Sequence, residues 1–353
     1  MGKRNSVLII PALNPPPEVI PYVAELKTEG FERIIVIDDG SREEFRQTFD
    51  ELRDVYDCDL FVHAVNMGKG RALKDSLNYY LNTYSAEYKG VITVDSDGQH
   101  LAKDVVRLDD ALGGDGRSLI LGVRDFDQEN VPFKSSAGNR ITRNVLRLLA
   151  GVHVRDTQTG LRGMPNGIIR EYLTLTGERF EYETAMLIES ARKGIPIREI
   201  TIETVYLDGN KESHFNALQD SVRIYSLIFK MFFKYAVVSI TSFLLDYGIF
   251  CLLAAALAGM ADAKRIWIAT AGARVISSLY NYLMNRKVVF KSDKGVRKTM
   301  VKYYALCAVQ MCCSALLVLM AVRGIHWPAA AVKPIIDIVL FLLSYRIQSR
   351  WIF

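Results

Sequence analysis

The chain predicts two joined domains: an α/β domain on a mainly parallel sheet flanked by helices, then an all-α domain of four transmembrane helices. Three observations predict this. Up to about Ser221 short β-branched runs alternate with helical patterns, and after Phe229 the sequence becomes strongly apolar. The apolar part divides into four stretches, each close to the ~20 residues that a bilayer-spanning helix needs. At 353 residues the chain is long for one domain and suits two.

Strands are expected at 7–13, 33–38, 60–65, 91–94, 119–123 and 197–205, where Val, Ile, Leu and Phe cluster between polar breaks. Helices fall between most of them, for example at 19–28, 70–84 and 136–150. Such alternation makes a parallel sheet with ligand sites beyond the carboxyl ends of its strands. Those ends are polar here. Pro11-Ala-Leu13-Asn14 closes the first strand and Asp38-Asp39-Gly40-Ser41 the second. Asn66-Met-Gly68-Lys69-Gly70 follows the third, and Asp95-Ser96-Asp97-Gly98-Gln99-His100 the fourth.

Each end has a chemical use. Asp95 and Asp97, two positions apart, leave the sheet together and with Gln99 offer hard oxygen donors to Mg²⁺ or Mn²⁺. Asp39 can accept hydrogen bonds from a base or ribose, and Gly40-Ser41 gives a tight exit. Gly68-Lys69-Gly70 opens a helix, so backbone amides and an ammonium are expected to face a phosphate together. Four polar strand ends in succession describe a nucleotide site.

The four spans are expected at 235–258, 266–284, 303–322 and 327–345. Between the second and third lie Arg286, Lys287, Lys291, Lys294, Arg297, Lys298 and Lys302, a basic loop that the positive-inside rule puts in the cytoplasm. An even number of spans then returns both the amino-terminal domain and the carboxyl terminus to that side, although Lys264 and Arg265 lie opposite. Met1-Gly-Lys-Arg-Asn leads into a strand without a signal-peptide pattern, so the first domain is expected to stay cytosolic. The net charge of +5, with no aromatic and basic stripe, argues against a nucleic-acid partner. The five cysteines have no metal-ligand spacing and read as free thiols. The expected boundaries are 1–220 for the cytosolic domain, 221–234 for an amphipathic helix in the membrane interface, and 235–353 for the membrane domain. The interfacial helix follows Asn210-Lys211-Glu-Ser213-His214-Phe215 and sets apolar Val222, Ile224, Tyr225, Leu227 and Ile228 against Arg223, Lys230 and Lys234.

Residues 5–225 resemble family 2 glycosyltransferases of the GT-A (Rossmann-like) fold, specifically polyprenyl-phosphate sugar synthases related to dolichyl-phosphate mannose synthase. The resemblance rests on Ile10-Pro11-Ala-Leu-Asn14, Val36-Ile37-Asp-Asp39-Gly-Ser, Asn66-Met-Gly-Lys-Gly70, Asp95-Ser-Asp-Gly-Gln-His100 and Asp156-Thr-Gln-Thr-Gly160-Leu-Arg162. It implies that Pro11, Leu13, Ile37 and Asp39 hold the nucleoside, with Asn66, Lys69, Gly70, Asp95 and Ser96 beside it. It also implies that Asp95, Asp97 and Gln99 bind Mg²⁺ or Mn²⁺ and the diphosphate. Pro15 stands where the family usually has Glu, so one nucleotide contact lacks its counterpart. The second half resembles the GtrA-like four-helix membrane domain. An internal repeat agrees: Asn281-Tyr282-Leu-Met-Asn285-Arg-Lys-Val-Val-Phe290 is similar to Ser344-Tyr345-Arg-Ile-Gln348-Ser-Arg-Trp-Ile-Phe353, as in two parallel hairpins.

The resemblance implies inverting, metal-dependent transfer of a sugar from a UDP- or GDP-linked donor to a polyprenyl phosphate, for cell-envelope glycosylation at the inner membrane. A phosphate monoester is largely dianionic at neutral pH, its second pKa being ~6, so no general base is required. Catalysis then rests on positioning and charge. Asp97, Arg124, Asp156 and Arg162 are the catalytic candidates: Asp156 to orient the sugar or act as a base, Arg162 to serve the diphosphate or brace its loop. Arg124, Lys134, Ser136 and Arg140 are the acceptor-phosphate candidates. Asp246, Arg274, Lys333 and Asp337 are costly in a bilayer unless paired or functional. Lys333 with Asp337, and Asp246 with Arg274, are the expected pairs; they are candidates for handling the lipid-linked product during translocation. The membrane domain is also a candidate surface for self-association. Rival readings are a lipid-sugar transporter or membrane-anchored nucleotide-binding protein with little catalysis, and a processive polysaccharide synthase. For the last, Gln348-Ser-Arg350-Trp351 is one residue short of the Gln-x-x-Arg-Trp signature.

Overall fold

The computed structural model describes residues 3–114, 116–125, 133–203, 217–290, 292–325 and 328–353. The segment 210–215 and the side chains of Lys134 and Ser136 lie outside the described residues. Two compact units divide between Leu227 and Ile228.

The first unit runs β1 (Ser6–Ala12), α1 (Val19–Thr28), β2 (Ile34–Asp38), α2 (Arg46–Asp54), β3 (Asp59–Val62), α3 (Lys69–Thr83) and β4 (Gly90–Thr93). It continues α4 (Ala102–Gly114), β5 (Leu119–Arg124), α5 (Phe133–Leu149), β6 (Arg162–Pro165), α6 (Asn166–Leu173), α7 (Glu181–Lys193) and β7 (Ile197–Ile202). The seven strands order β3-β2-β1-β4-β6-β5-β7. All neighbours are parallel except β6, which runs antiparallel to β4 and β5. The six expected strands are present. β6 was unexpected because Arg-Gly-Met-Pro has no β-branched residue and contains Gly and Pro, so tertiary pairing makes this strand, not propensity.

Register sets the position of the site. Ala12 pairs with Asp38 and Asp38 with Val62, so β1, β2 and β3 end level with one another. Thr93, the last residue of β4, pairs with Arg162, the first of β6. Because β6 is antiparallel, the loop entering it, Thr157–Leu161, arrives at the same sheet edge as the ends of the parallel strands. On one face Leu8, Ile10, Val36 and Ile92 form a core with Val23 and Leu26 of α1 and Val105 and Leu108 of α4. The alternating residues Val7, Ile9, Ile35 and Ile37 are equally buried, and α3 packs against β1, β2 and β4. Each such side chain contributes about 1.5–3 kcal/mol by leaving water. Ile37, expected at the nucleoside, is therefore a core residue: a strand covered on both faces leaves it no surface.

Four helices follow: α8 (Ala217–Ala256), α9 (Asp262–Met284), α10 (Val296–Ile325) and α11 (Ala329–Ile347). Within them Gln219–Ala256 and Val296–Ala321 are long and apolar enough to cross a membrane. α9 carries Arg274, Ser277, Ser278 and Asn281, and α11 carries Lys333, Asp337 and Arg346, which lower their apolar character. α8 corrects one expectation. No separate interfacial helix exists at 221–234, because the chain has no Pro or Gly between Ala217 and Gly248 to break the helix before the apolar stretch begins.

The internal repeat appears as paired contacts within the second unit. α9 and α11 each run into one π-helical turn, Asn285–Val289 and Gln348–Ile352. The equivalent amides meet, Asn285 Nδ2 donating to Gln348 Oε1 at 3.3 Å across 63 residues. The equivalent rings Phe290 and Phe353 stack at 5.3 Å. Around them Tyr282–Phe353 (5.7 Å) matches Tyr345–Phe290 (6.0 Å), and Tyr282–Tyr303 (5.5 Å) matches Tyr345–Tyr235 (5.2 Å). The hairpins α8–α9 and α10–α11 are thus related by a pseudo-two-fold axis through Asn285/Gln348 and Phe290/Phe353.

Candidate active site

The first two strand ends are tied together by Asn14. Its backbone is left-handed (φ +46°), a conformation Asn tolerates. Its N–H donates to Ser41 Oγ at 2.8 Å, and its Oδ1 accepts the Arg42 N–H at 2.9 Å. Pro11 is buried beside β2, while Leu13 is half-exposed.

Asp39 is buried and fixes the next loop. Its Oδ1 accepts the Met67 N–H at 2.9 Å and lies 2.7 Å from His63 Nδ1, while its Oδ2 accepts the Gly68 N–H at 2.7 Å. The Arg71 N–H donates to Gly68 O and Glu178 O, and the Ala72 N–H to Gly68 O. Of the amides expected to face a phosphate, that of Gly68 is therefore committed to Asp39. Gly68 (φ +100°) and Gly70 are required because the backbone of Glu178 and Arg179 lies where a Cβ would stand. Asn66 is exposed at the rim.

Lys69 points to the end of β4. Its ammonium lies 2.6 Å from Asp95 Oδ1 and 3.0 Å from Glu183 Oε1. Burial pulls the Lys69 pKa down, but Asp95 and Glu183 outweigh it and hold the amine above its ordinary value. Burial likewise pushes the Asp95 carboxyl up, yet Lys69, with His100 and Arg124 behind it, brings it down to about 2. His100 accepts the Asp95 N–H at its Nδ1 (3.4 Å) and sets its Nε2 4.0 Å from Asp95 Oδ2. Asp97 differs: burial and the Asp95 charge raise its pKa, although its Oδ1 accepts the Gln99 N–H at 3.1 Å. Ser96 and Gln99 are half-buried beside it.

The loop entering β6 closes over Asp95. A Cβ on Gly160 would run into the Asp95 carboxylate, so only glycine fits. Thr93 Oγ1 anchors this loop by donating to Gly160 O at 2.7 Å. Arg162 is a brace and does not reach an exposed site. It is 1% exposed, and its guanidinium donates to Thr159 O at 2.9 Å and Glu183 O at 2.7 Å.

Asp156 is completely buried and both of its oxygens are committed. Arg124 donates from Nε at 2.7 Å and from Nη2 at 3.1 Å, and the Gln158 N–H adds 3.0 Å. It therefore orients Arg124 and is not open to act as a base. Asn139 fastens α5 to this loop, donating to Arg155 O and accepting from the Thr157 N–H and hydroxyl. Arg140, one residue on, is exposed.

Sequence reading missed Glu183 and His63. Glu183 had a signal: it precedes Met186 and Leu187 by three and four residues, so it sits on the apolar face of α7, where a charge needs a partner. Among the described residues no three His, Cys, Asp or Glu side chains form a metal cage. Asp95 and Asp97 still fit a hard divalent ion, because Mg²⁺ is commonly held by one or two carboxylates and completed by substrate phosphates. Asp95 and Glu183 flank the Lys69 ammonium, and Arg124 is paired with Asp156.

In the second unit both expected pairs form. Arg274 Nε lies 3.8 Å from Asp246 Oδ2, and Ser277 Oγ donates to Asp246 Oδ1 at 2.7 Å. Lys333 Nζ lies 3.0 Å from Asp337 Oδ2, and Ser314 Oγ donates to Asp337 Oδ1 at 2.8 Å. Gln348 is buried and donates to Tyr235 OH and Ser344 Oγ, a packing role distinct from the polysaccharide-synthase signature.

Comparisons with known proteins agree with this division. Residues 7–173 match Glycosyl transferase family 2, and residues 225–353 match the GtrA/DPMS transmembrane domain. A UDP-N-acetylglucosamine–dolichyl-phosphate N-acetylglucosaminyltransferase of Methanococcus voltae is 25% identical over 225 residues, 59% of this chain and 88% of that protein. Glycosyltransferase AglJ of Haloferax volcanii is 26% identical, over 65% of this chain and 71% of its own. A dolichyl-phosphate beta-glucosyltransferase of Dictyostelium discoideum is 25% identical, over 57% of this chain and 63% of its own. With its mainly parallel sheet, its strand-end carboxylates and its apolar helices, the chain joins a family 2 glycosyltransferase domain to a GtrA/DPMS transmembrane domain.

Proposed function

We propose that the protein transfers a hexose from a UDP- or GDP-linked donor to a polyprenyl phosphate at the cytosolic face of a membrane, inverting the anomeric centre. The product would serve cell-envelope glycosylation. The observation that carries this reading is the pairing of a strand-end carboxylate cluster, Asp95 and Asp97, with an arginine held rigidly by Asp156 in a chain that continues into apolar helices. Asp95 and Asp97, with Gln99, would hold Mg²⁺ or Mn²⁺, which when bound supplies charge for the departing nucleoside diphosphate. Arg124 offers a preorganised guanidinium to a phosphate, and the bidentate grip of Asp156 fixes its direction. The commitment of Asp156 to Arg124 agrees with an acceptor that needs no base, since a dianionic lipid phosphate is already a nucleophile. Loop 157–161, closed over Asp95, limits water at the carboxylates.

The test is a screen of UDP- and GDP-sugars against polyprenyl phosphate with the full chain in detergent and Mn²⁺. Formation of a lipid-linked sugar is expected, and Asp97→Ala is expected to abolish it without unfolding the protein. Full activity in excess chelator overturns the metal assignment; failure with every donor overturns the reaction.

A second activity has an observation in its favour. The offset relating Tyr235 to Tyr303 also relates Asp246 to Ser314, and the offset relating Asn285 to Gln348 relates Arg274 to Asp337. Both hairpins thus carry a polar pair at the same level, which supports a role in moving the lipid-linked product across the bilayer.

A further inference from the structure

We infer that Lys69 is a resident counter-cation of the carboxylate cluster, competing with the divalent ion for Asp95, and that Glu183 is the second anchor that lets it yield. The inference rests on the metal assignment proposed above and concerns how the ion is admitted.

The geometry is one ammonium between two acids from different elements. Lys69 Nζ is 2.6 Å from Asp95 Oδ1 and 3.0 Å from Glu183 Oε1. The Lys69 side chain is 16% exposed and that of Glu183 5%, so water screens these contacts poorly. Glu183 is held from behind, because Arg162 grips its backbone carbonyl at 2.7 Å and also the Thr159 carbonyl of the loop over Asp95. Asp95 and Asp97 lie on one strand end and Glu183 on α7.

A cation approaching Asp95 meets an ammonium already on one of its oxygens. Lys69 therefore opposes binding at Asp95, and Glu183 keeps its loosening from leaving a bare buried ammonium, which would be costly. A donor diphosphate brings further negative charge to the same place and relieves the conflict between the two cations. Metal alone is then expected to bind weakly, and metal and nucleoside diphosphate to bind with mutual reinforcement. Sequence alone suggested instead that Lys69 met a phosphate directly.

The test is Mn²⁺ binding by the full detergent-solubilised chain, read by the loss of free-ion electron paramagnetic resonance signal, without nucleotide and with UDP or GDP. Lys69→Met is expected to tighten Mn²⁺ binding in the absence of nucleotide by about tenfold, the scale of a partly buried ion pair, and to reduce the gain that nucleotide brings. Lys69→Arg, which keeps the charge, is expected to stay near the wild-type affinity. Glu183→Gln leaves Lys69 with Asp95 alone and is expected to weaken Mn²⁺ binding. An unchanged or weaker affinity in Lys69→Met, with wild-type protein binding Mn²⁺ normally, overturns the inference alone. Absence of Mn²⁺ binding by every form, with or without nucleotide, overturns the metal assignment and this inference together.

Discussion

Asp95 and Asp97 are two residues apart and carry opposite electrostatic signs of stability. Burial raises the Asp95 carboxyl, but Lys69 more than offsets this and brings it down to about 2. The ionised pair thus stabilises the fold above the ordinary carboxylate range and loses that contribution as pH falls towards 2. Asp97 is raised by burial and by Asp95, so its charge costs stability at neutral pH and the cost disappears on acidification. Without added metal at pH 7, Asp95→Asn is expected to lower the melting temperature and Asp97→Asn to raise it. Thermal unfolding followed from pH 4 to 8 checks both, and the Asp97→Asn gain is expected to shrink at the acid end. The same sign makes Mn²⁺ affinity fall on acidification at a pH above that typical of a carboxylate. Asp156 acts differently, through Arg124. Asp156→Asn removes the charge that aligns the guanidinium and is expected to cost about 10²-fold in transfer while leaving Mn²⁺ affinity unchanged, the scale of losing one preorganised electrostatic contact.

At the scale of elements, the loops after β3 and before β6 depend on glycines that the fold leaves no room to replace. Gly160→Ala drives a methyl into the Asp95 carboxylate and is expected to abolish transfer at a stability cost of about 1–3 kcal/mol, measurable by denaturation of the purified protein. In the helical unit, the pseudo-two-fold predicts matched effects. Phe290→Ala and Phe353→Ala are each expected to cost about 3 kcal/mol, and the double variant less than their sum because each removes the other's stacking partner. Six strands and the candidate carboxylates were legible in the sequence because β-branched runs and polar strand ends are local signals. β6 was not, since Arg-Gly-Met-Pro is a strand only through its neighbours. Nor was the commitment of Asp39, Lys69 and Asp156, because a carboxylate's partner 28, 26 or 32 residues away is invisible to local pattern. The repeat of Asn281–Phe290 in Ser344–Phe353 was legible as residue identity, and its physical content, rings and amides meeting across an axis, needed the fold.

At the scale of the whole molecule, the basic loop and the polar pairs make one linked prediction about the membrane. Lys294, Arg297, Lys298 and Lys302 follow α9 and begin α10, on the side to which the positive-inside rule assigns the cytoplasm. Asp293→Cys is therefore expected to react with an impermeant maleimide only when the cytosolic face is accessible, as in inverted vesicles. Between the ends of the helices lie Asp246 with Arg274 and Ser314 with Asp337 at pseudo-equivalent levels. If these pairs only hold helices together, neutralising one weakens packing and affects transfer and translocation alike. If they accompany a phosphate-bearing lipid, the two activities separate. Asp246→Asn and Asp337→Asn are expected to leave synthesis of the lipid-linked sugar within about twofold, since neither residue belongs to the first unit, and to slow its appearance on the far leaflet of reconstituted vesicles about tenfold, the scale expected for an intramembrane ionisable group with a functional role. Unchanged movement across the bilayer in both variants, with synthesis intact, assigns the pairs to packing alone and leaves the helical unit as an anchor.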